Sequence, residues 1–148
     1  MRTEPPARDG AMDTLESLRA SLPPDAHAMV IDDSATMRRI FTKQMQELGL
    51  GVTACHDGRE ALAVLADEIE RTAIIFSDIQ MPSMDGFEFC WRLQQAPWYD
   101  GTPLVMISTC SDAASVIRVL KLGADDFIPK PFSRDDLAQI IARVMCHD

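Results

Sequence analysis

The chain has 148 residues, 47% of them apolar, and a formal charge of −9. That length supports one domain with a packed core, and the acidic balance excludes broad nucleic-acid binding, which needs a basic face. No apolar run approaches the ~18 residues of a membrane span, and the N-terminus lacks the apolar stretch of a signal peptide, so a cytoplasmic protein without a membrane partner is expected.

Residues 1–27 differ in texture from the rest and read as an N-terminal extension, with residues 28–148 as the folded domain. Pro5-Pro6 and Pro23-Pro24 bracket a polar stretch in which Asp13-Thr14-Leu15-Glu16 resembles a capping box. Leu15, Leu18 and Leu22 then share one helical face. Two readings stand: a disordered tail, or a short helix that docks on its own domain or on a partner. Such a helix is marginal in isolation, since helices under ~12 residues rarely persist in water.

From Met29 the pattern alternates. Met29–Ile31 reads as a strand, and Thr36–Leu48 as a helix with Met37, Ile40, Phe41, Met45 and Leu48 on one face and Gly49 as its stop. Val52–Cys55 is a short strand, Gly58–Ala66 a helix, Ala73–Ser77 a strand. Gly86–Gln94 is a helix presenting Phe87, Cys90 and Trp91. Leu104–Ser108 is a strand, Ala113–Leu122 a helix, and Phe127–Pro129 the last strand. Ser133-Arg134-Asp135-Asp136 opens the last helix as an acidic capping box, with Leu137, Ile140, Ile141, Val144 and Met145 as its buried stripe. Five strand–helix units in a row predict an α/β fold with a parallel sheet covered by helices on both faces, and the almost wholly apolar strands agree. Pro129 has no N–H for a ladder, so its strand is expected at an edge, as in the doubly wound order 2-1-3-4-5.

Cys55, Cys90, Cys110 and Cys146 are scattered, with no C-x-x-C pair and no zinc-ligand spacing, and read as reduced core thiols. His27, His56 and His147 lie beside polar residues and read as solvated. The chemistry lies elsewhere. The first apolar run ends in Asp32-Asp33, the third strand in Asp78, the fourth in Ser108-Thr109, and the fifth runs into Lys130-Pro131. In an open α/β sheet such strand ends are where ligands bind. Three convergent carboxylates need a cation or raised pKa values, and all-oxygen ligands favour Mg²⁺, which commonly bridges to phosphate. A reading of Asp32 and Asp33 as mere helix caps leaves Asp78, Ser108 and Lys130 unexplained.

Taken in order, Val30-Ile31-Asp32-Asp33-Ser34, Ser77-Asp78-Ile79-Gln80-Met81-Pro82-Ser83-Met84-Asp85-Gly86, Pro103-Leu104-Val105-Met106-Ile107-Ser108 and Gly123-Ala124-Asp125-Asp126-Phe127-Ile128-Pro129-Lys130-Pro131-Phe132 resemble the receiver domain of two-component response regulators, over residues ~28–148. Asp33-Ser34-Ala35-Thr36-Met37-Arg38-Arg39-Ile40 looks most like the stand-alone chemotaxis branch. The resemblance implies that Asp78 accepts a phosphoryl group from a histidine kinase or phosphotransfer protein. Asp33 and Asp78 would hold Mg²⁺ directly, Asp32 through water, and Gln80 by its backbone carbonyl. Lys130, before a cis Pro131, would pair with Asp78 and then with the phosphoryl group. Ser108 would bond the phosphoryl group and let Phe127 swing inward as the switch. Static core packing is the plain alternative for Phe127.

Two positions depart from the family pattern. Phe127 keeps the ring of the more usual Tyr without its hydroxyl. Thr109 replaces a smaller residue at the mouth of the site and is expected to slow small phosphodonors. The helix from Ala113, strand five and the last helix would form the output face, with Met106 in the core beneath. The first helix, with Met37, Arg38 and Arg39, would dock a kinase or phosphatase, or simply be solvated.

With one helix after Phe132, output is expected to be binding of a downstream protein. A phosphorelay shuttle, a phosphate sink or a phosphorylation-independent scaffold uses the same residues. An aspartyl-phosphate phosphohydrolase needs an acid where Gln80 stands. A flavodoxin-like FMN site would meet two acids at its phosphate loop. The expected product is therefore a phospho-acceptor protein, acting only on its own phosphorylation and dephosphorylation.

Overall fold

The computed structural model describes residues 25–109 and 112–145, together with Glu16, Ser17 and Ala20. Its elements run β1 (His27–Ile31), α1 (Ala35–Glu47), β2 (Gly51–Cys55), α2 (Gly58–Glu68), a 3₁₀ turn (Ile69–Arg71), β3 (Thr72–Asp78), α3 (Gly86–Gln95), β4 (Leu104–Ser108), α4 (Ala113–Lys121), β5 (Asp126–Pro129) and α5 (Arg134–Met145). The five strands form one parallel sheet in the order β2-β1-β3-β4-β5. This is the doubly wound arrangement that the alternation predicts, with β5 at an edge.

Strand alternation explains why nearly every strand residue is apolar. Met29, Ile31, Ile75, Leu104 and Met106 point into one buried cluster, which includes Leu65, Phe89, Leu93 and Val119 from α2, α3 and α4. Their neighbours Val30, Ile74, Phe76, Val105 and Ile107 point the other way, onto Phe41, Met45, Leu137 and Ile141 of α1 and α5. Successive side chains alternate across a sheet, so a sheet covered on both faces requires apolar residues at both parities. Phe41 and Phe76 meet with ring centroids 4.8 Å apart. Met106 is fully buried, in the core as expected.

The helices start on caps written in the sequence. Ser34, Asp57, Asp85 and Asp112 each accept a backbone N–H from the first turn of their helix. At α5 the capping box is reciprocal: Asp136 N donates to Ser133 Oγ at 3.0 Å and Ser133 N to Asp136 Oδ2 at 2.8 Å.

Several details differ from the sequence reading. β1 begins at His27, whose ring lies inside the fold with only 13% side-chain exposure, near Glu68, rather than in solvent. The partner ladders on both sides hold this residue in the strand. β3 extends through Asp78, and α2 through Glu68. Ile40 is 45% exposed: α1 buries only a narrow stripe around Phe41 and Met45, and Ile40 falls outside it. On α3 the buried side chains are Phe89, Cys90 and Leu93, whereas Trp91 is 53% exposed. Cys55 and Cys90 are buried thiols pushed up to about 12 and about 11, chiefly by burial, so neither is a nucleophile at neutral pH. Cys110, Cys146, His147, Leu15, Leu18 and Leu22 lie outside the described residues, while Glu16, Ser17 and Ala20 are helical and exposed. No helix among the described residues is long and apolar enough to cross a membrane.

Candidate functional site

The central strands β1 and β3 run side by side, with Ile31 opposite Ser77, so the residues that follow, Asp32 and Asp78, emerge together at the C-terminal edge of the sheet. One carboxylate oxygen each of Asp32, Asp33 and Asp78 lies within 4.8 Å of the others. Asp32 and Asp78 are 4% and 5% exposed, and Asp33 opens to solvent. Lys130 reaches between the two buried acids: its Nζ donates to Asp32 Oδ2 at 3.0 Å and to Asp78 Oδ2 at 3.2 Å. The second oxygen of each acid faces the backbone. Ser34 N donates to Asp32 Oδ1 at 2.9 Å and Gln80 N to Asp78 Oδ1 at 3.3 Å.

Burial, reinforced by Asp32, raises the Asp78 carboxyl above the ordinary 3.8 despite the opposing Lys130 ammonium. For Lys130, burial disfavours the charge, but the hydrogen bond to Asp32 and the fields of both acids outweigh it and hold the amine above 10.5. Three carboxylates share one lysine ammonium, which leaves an excess of negative charge in the cluster. A divalent cation offsets that excess, and a donor set made wholly of carboxylate oxygens suits a hard ion such as Mg²⁺.

The flanking residues complete the rim. Ser108 is fully buried at the end of β4, and its carbonyl accepts Lys130 N at 2.9 Å, which ties β4 to the lysine. The Lys130–Pro131 peptide is cis. Phe127 is half-buried, sits opposite Met106 on β5 and packs against the cluster beneath α2, α3 and α4. Gly86 starts α3 at a point where a Cβ would lie 2.6 Å from both Asp78 O and Ile79 Cα, so only glycine allows the helix this close to the strand end.

Two contacts have no signal in the sequence. Thr109 Oγ1 donates to Gln80 Oε1 at 3.2 Å, closing a side-chain bridge between the loops after β4 and β3. Arg38 Nη1 donates to the Asp32 carbonyl at 2.7 Å, so this half-buried side chain braces the acidic loop, whereas Arg39 is exposed. Each joins residues whose proximity depends on how the loops close over the sheet.

The lysine-bridged acidic cluster sits at the reversal of strand order, where open parallel sheets bind their ligands. Residues 28–142 match the response regulator receiver domain family, and the chain belongs to it. Members of this family act as phospho-acceptors and catalyse only their own phosphorylation and dephosphorylation. The chain is 36% identical over 117 residues to the probable transcriptional regulator ycf27 of Porphyridium aerugineum, covering 79% of this chain and 47% of that protein. It thus spans about half the length of that curated relative. Protein PilG of Pseudomonas aeruginosa is 36% identical over 109 residues, 74% of this chain and 79% of that protein. Among solved structures, the Vibrio cholerae chemotaxis protein CheY4 superposes with a TM-score of 0.74 at 33% identity, covering 80% of this chain and 98% of that one.

Proposed function

We propose that this receiver domain takes a phosphoryl group on Asp78 in a Mg²⁺-dependent reaction and works as a chemotaxis- or motility-type regulator whose output is protein binding. The observation that carries the reading is Lys130 Nζ held between Asp32 and Asp78. One carboxylate oxygen of Asp78 is thereby fixed beside a positive charge at the strand end.

Mg²⁺, when bound by Asp33 and Asp78, with Asp32 through water and the Gln80 carbonyl, would neutralise charge on the transferring group. The chain's own residues do the rest. A carboxylate oxygen of Asp78 forms a bond to the phosphorus of a phosphohistidine, the P–N bond breaks, and its electron pair stays on the imidazole nitrogen. Lys130 moves from a carboxylate oxygen to a phosphoryl oxygen, and Ser108 donates to another. Phe127 follows as the switch, and α4, β5 and α5 carry the change to a downstream partner. Likeness to the chemotaxis protein CheY4 supports the chemotaxis-type branch. The phosphodonor is a histidine kinase or phosphotransfer protein.

The test is phosphoryl uptake from acetyl phosphate, read by intact mass. One phosphate is expected in the parent with Mg²⁺, and none in Asp78→Asn or with EDTA. Uptake that survives in Asp78→Asn would move the acceptor elsewhere.

A further inference from the structure

On the face of the sheet covered by α2, α3 and α4, Leu62 and Ala63 of α2, Trp91, Arg92 and Gln95 of α3, and Ala96 and Trp98 beyond it line a groove of about 410 Å³. Its floor and walls are mostly apolar, Trp91 is 53% exposed, and Arg92 is held at the rim by Glu88 at 2.8 Å. Both tryptophans of the chain are here. The neighbouring groove between α3 and α4 is lined instead by Asp85, Glu88 and Arg118 together with Phe87, Trp91 and Leu122, a more charged surface.

Where the chain enters the domain selects the occupant. Asp25 lies beside Arg71, 3.9 Å from Oδ2 to Nε, and His27 beside Glu68, 3.5 Å from Nε2 to Oε1, so the segment before β1 leaves the fold at the C-terminal end of α2. Only Pro23 and Pro24 separate Leu22 from Asp25, a span of at most about 11 Å. From Glu68 back to Ala63 is about 8 Å of helix axis, a distance that the three residues before Asp25 are long enough to span. Leu15, Leu18 and Leu22 share one face at about 100° per residue. The described helical positions Glu16, Ser17 and Ala20 fall on the opposite side, and all three are exposed.

We infer that residues 13–22 of this same chain dock in the α2–α3 groove, setting Leu15, Leu18 and Leu22 against Trp91, Trp98 and Leu62 and turning Glu16, Ser17 and Ala20 to solvent. The docking is a property of the domain's surface and does not depend on the phosphoryl chemistry.

The test uses the full chain in a Trp98→Phe background, so that Trp91 is the sole tryptophan, excited apart from Tyr99. Trp91 is expected to emit blue-shifted and to resist acrylamide quenching, and Leu18→Asp/Leu22→Asp to shift the emission red and restore quenching. Equal quenching in the two proteins would overturn the inference. Shielding that grows with protein concentration would also overturn it, by assigning the groove to a second copy. An independent arm reads the segment itself, through limited trypsin cleavage after Arg19. It is expected to be slow in the parent and fast in Trp91→Glu, and equal rates would refute the docking.

Discussion

Lys130→Met keeps most of the side chain's apolar length and deletes its charge, which leaves Asp32 and Asp78 buried side by side without a cation. At 3.0 and 3.2 Å each contact is worth a gross ~5 kcal/mol at an effective dielectric of ~20. Desolvation offsets much of this, and removing one partner from a buried pair costs about 3–5 kcal/mol. The lower end applies, because the site opens to water at the exposed Asp33 and Lys130 keeps 14% of its side chain exposed. A loss of about 3 kcal/mol lowers the melting temperature of a domain this size by roughly 10 °C. The assay is thermal and urea unfolding at neutral pH, in EDTA and in saturating Mg²⁺. In EDTA the variant should melt well below the parent; in Mg²⁺ most of the gap should close, because the ion takes over the ammonium's role. Adding Asp78→Asn should recover much of the loss without metal, since it removes one of the two stranded charges. The deficit should also shrink as pH falls and the carboxylates protonate. The sign follows from the parent. With Lys130 raised above 10.5, its stabilisation is complete below that value and disappears only as pH rises through the folded pKa. With Asp78 raised above 3.8, its contribution favours folding as pH falls and is lost as pH rises through its folded pKa. A variant as stable as the parent in EDTA, or a loss untouched by Asp78→Asn, would refute this account of the site.

Further predictions concern access, bracing and packing. Thr109→Ala removes the bridge to Gln80 Oε1 and widens the mouth. Labelling by acetyl phosphate or phosphoramidate should become faster, and an equal or slower rate would remove Thr109 as a barrier. Arg38→Ala frees the acidic loop from its 2.7 Å brace, so it should slow uptake from small donors as well as from a kinase. Arg39→Ala, on an exposed position, should affect at most transfer from a kinase; unaltered small-donor kinetics in Arg38→Ala would leave Arg38 with a docking role alone. Gly86→Ala places a Cβ 2.6 Å from the backbone of Asp78 and Ile79. Overpacking of this kind costs about 1–3 kcal/mol, and chemical denaturation with phosphoryl uptake should show stability and activity falling together.

The order of elements, the parallel sheet and the identity of the acids were legible in the sequence. Each depends on local information: apolar runs at strand length, caps at fixed offsets, and turn residues between them. Even the convergence of Asp32 and Asp78 follows from topology, because strands one and three are neighbours where the winding reverses. What the sequence misread was the depth of particular side chains. Ile40 matches the helical period of α1 and Trp91 falls among the apolar residues of α3, yet both stand in solvent, since the width of a buried stripe is set by what packs against it. His27 looked like tail and proved to be strand, because the ladders to Gly51 and Thr72 outweigh its polar neighbours.

The sequence by itself determined which groups were available: three acids, one amine and one hydroxyl at four strand ends. Only the tertiary structure decided how they share one another. That Lys130 bridges Asp32 as well as Asp78, that Arg38 braces the Asp32 carbonyl, and that Gln80 and Thr109 join across the mouth are contacts between residues 6 to 98 positions apart. Their physical origin is the closure of four loops over one sheet edge. There the low exposure of Asp32, Asp78 and Lys130 strengthens their charges, and the choice of partner depends on ångström-scale distances that no residue pattern encodes.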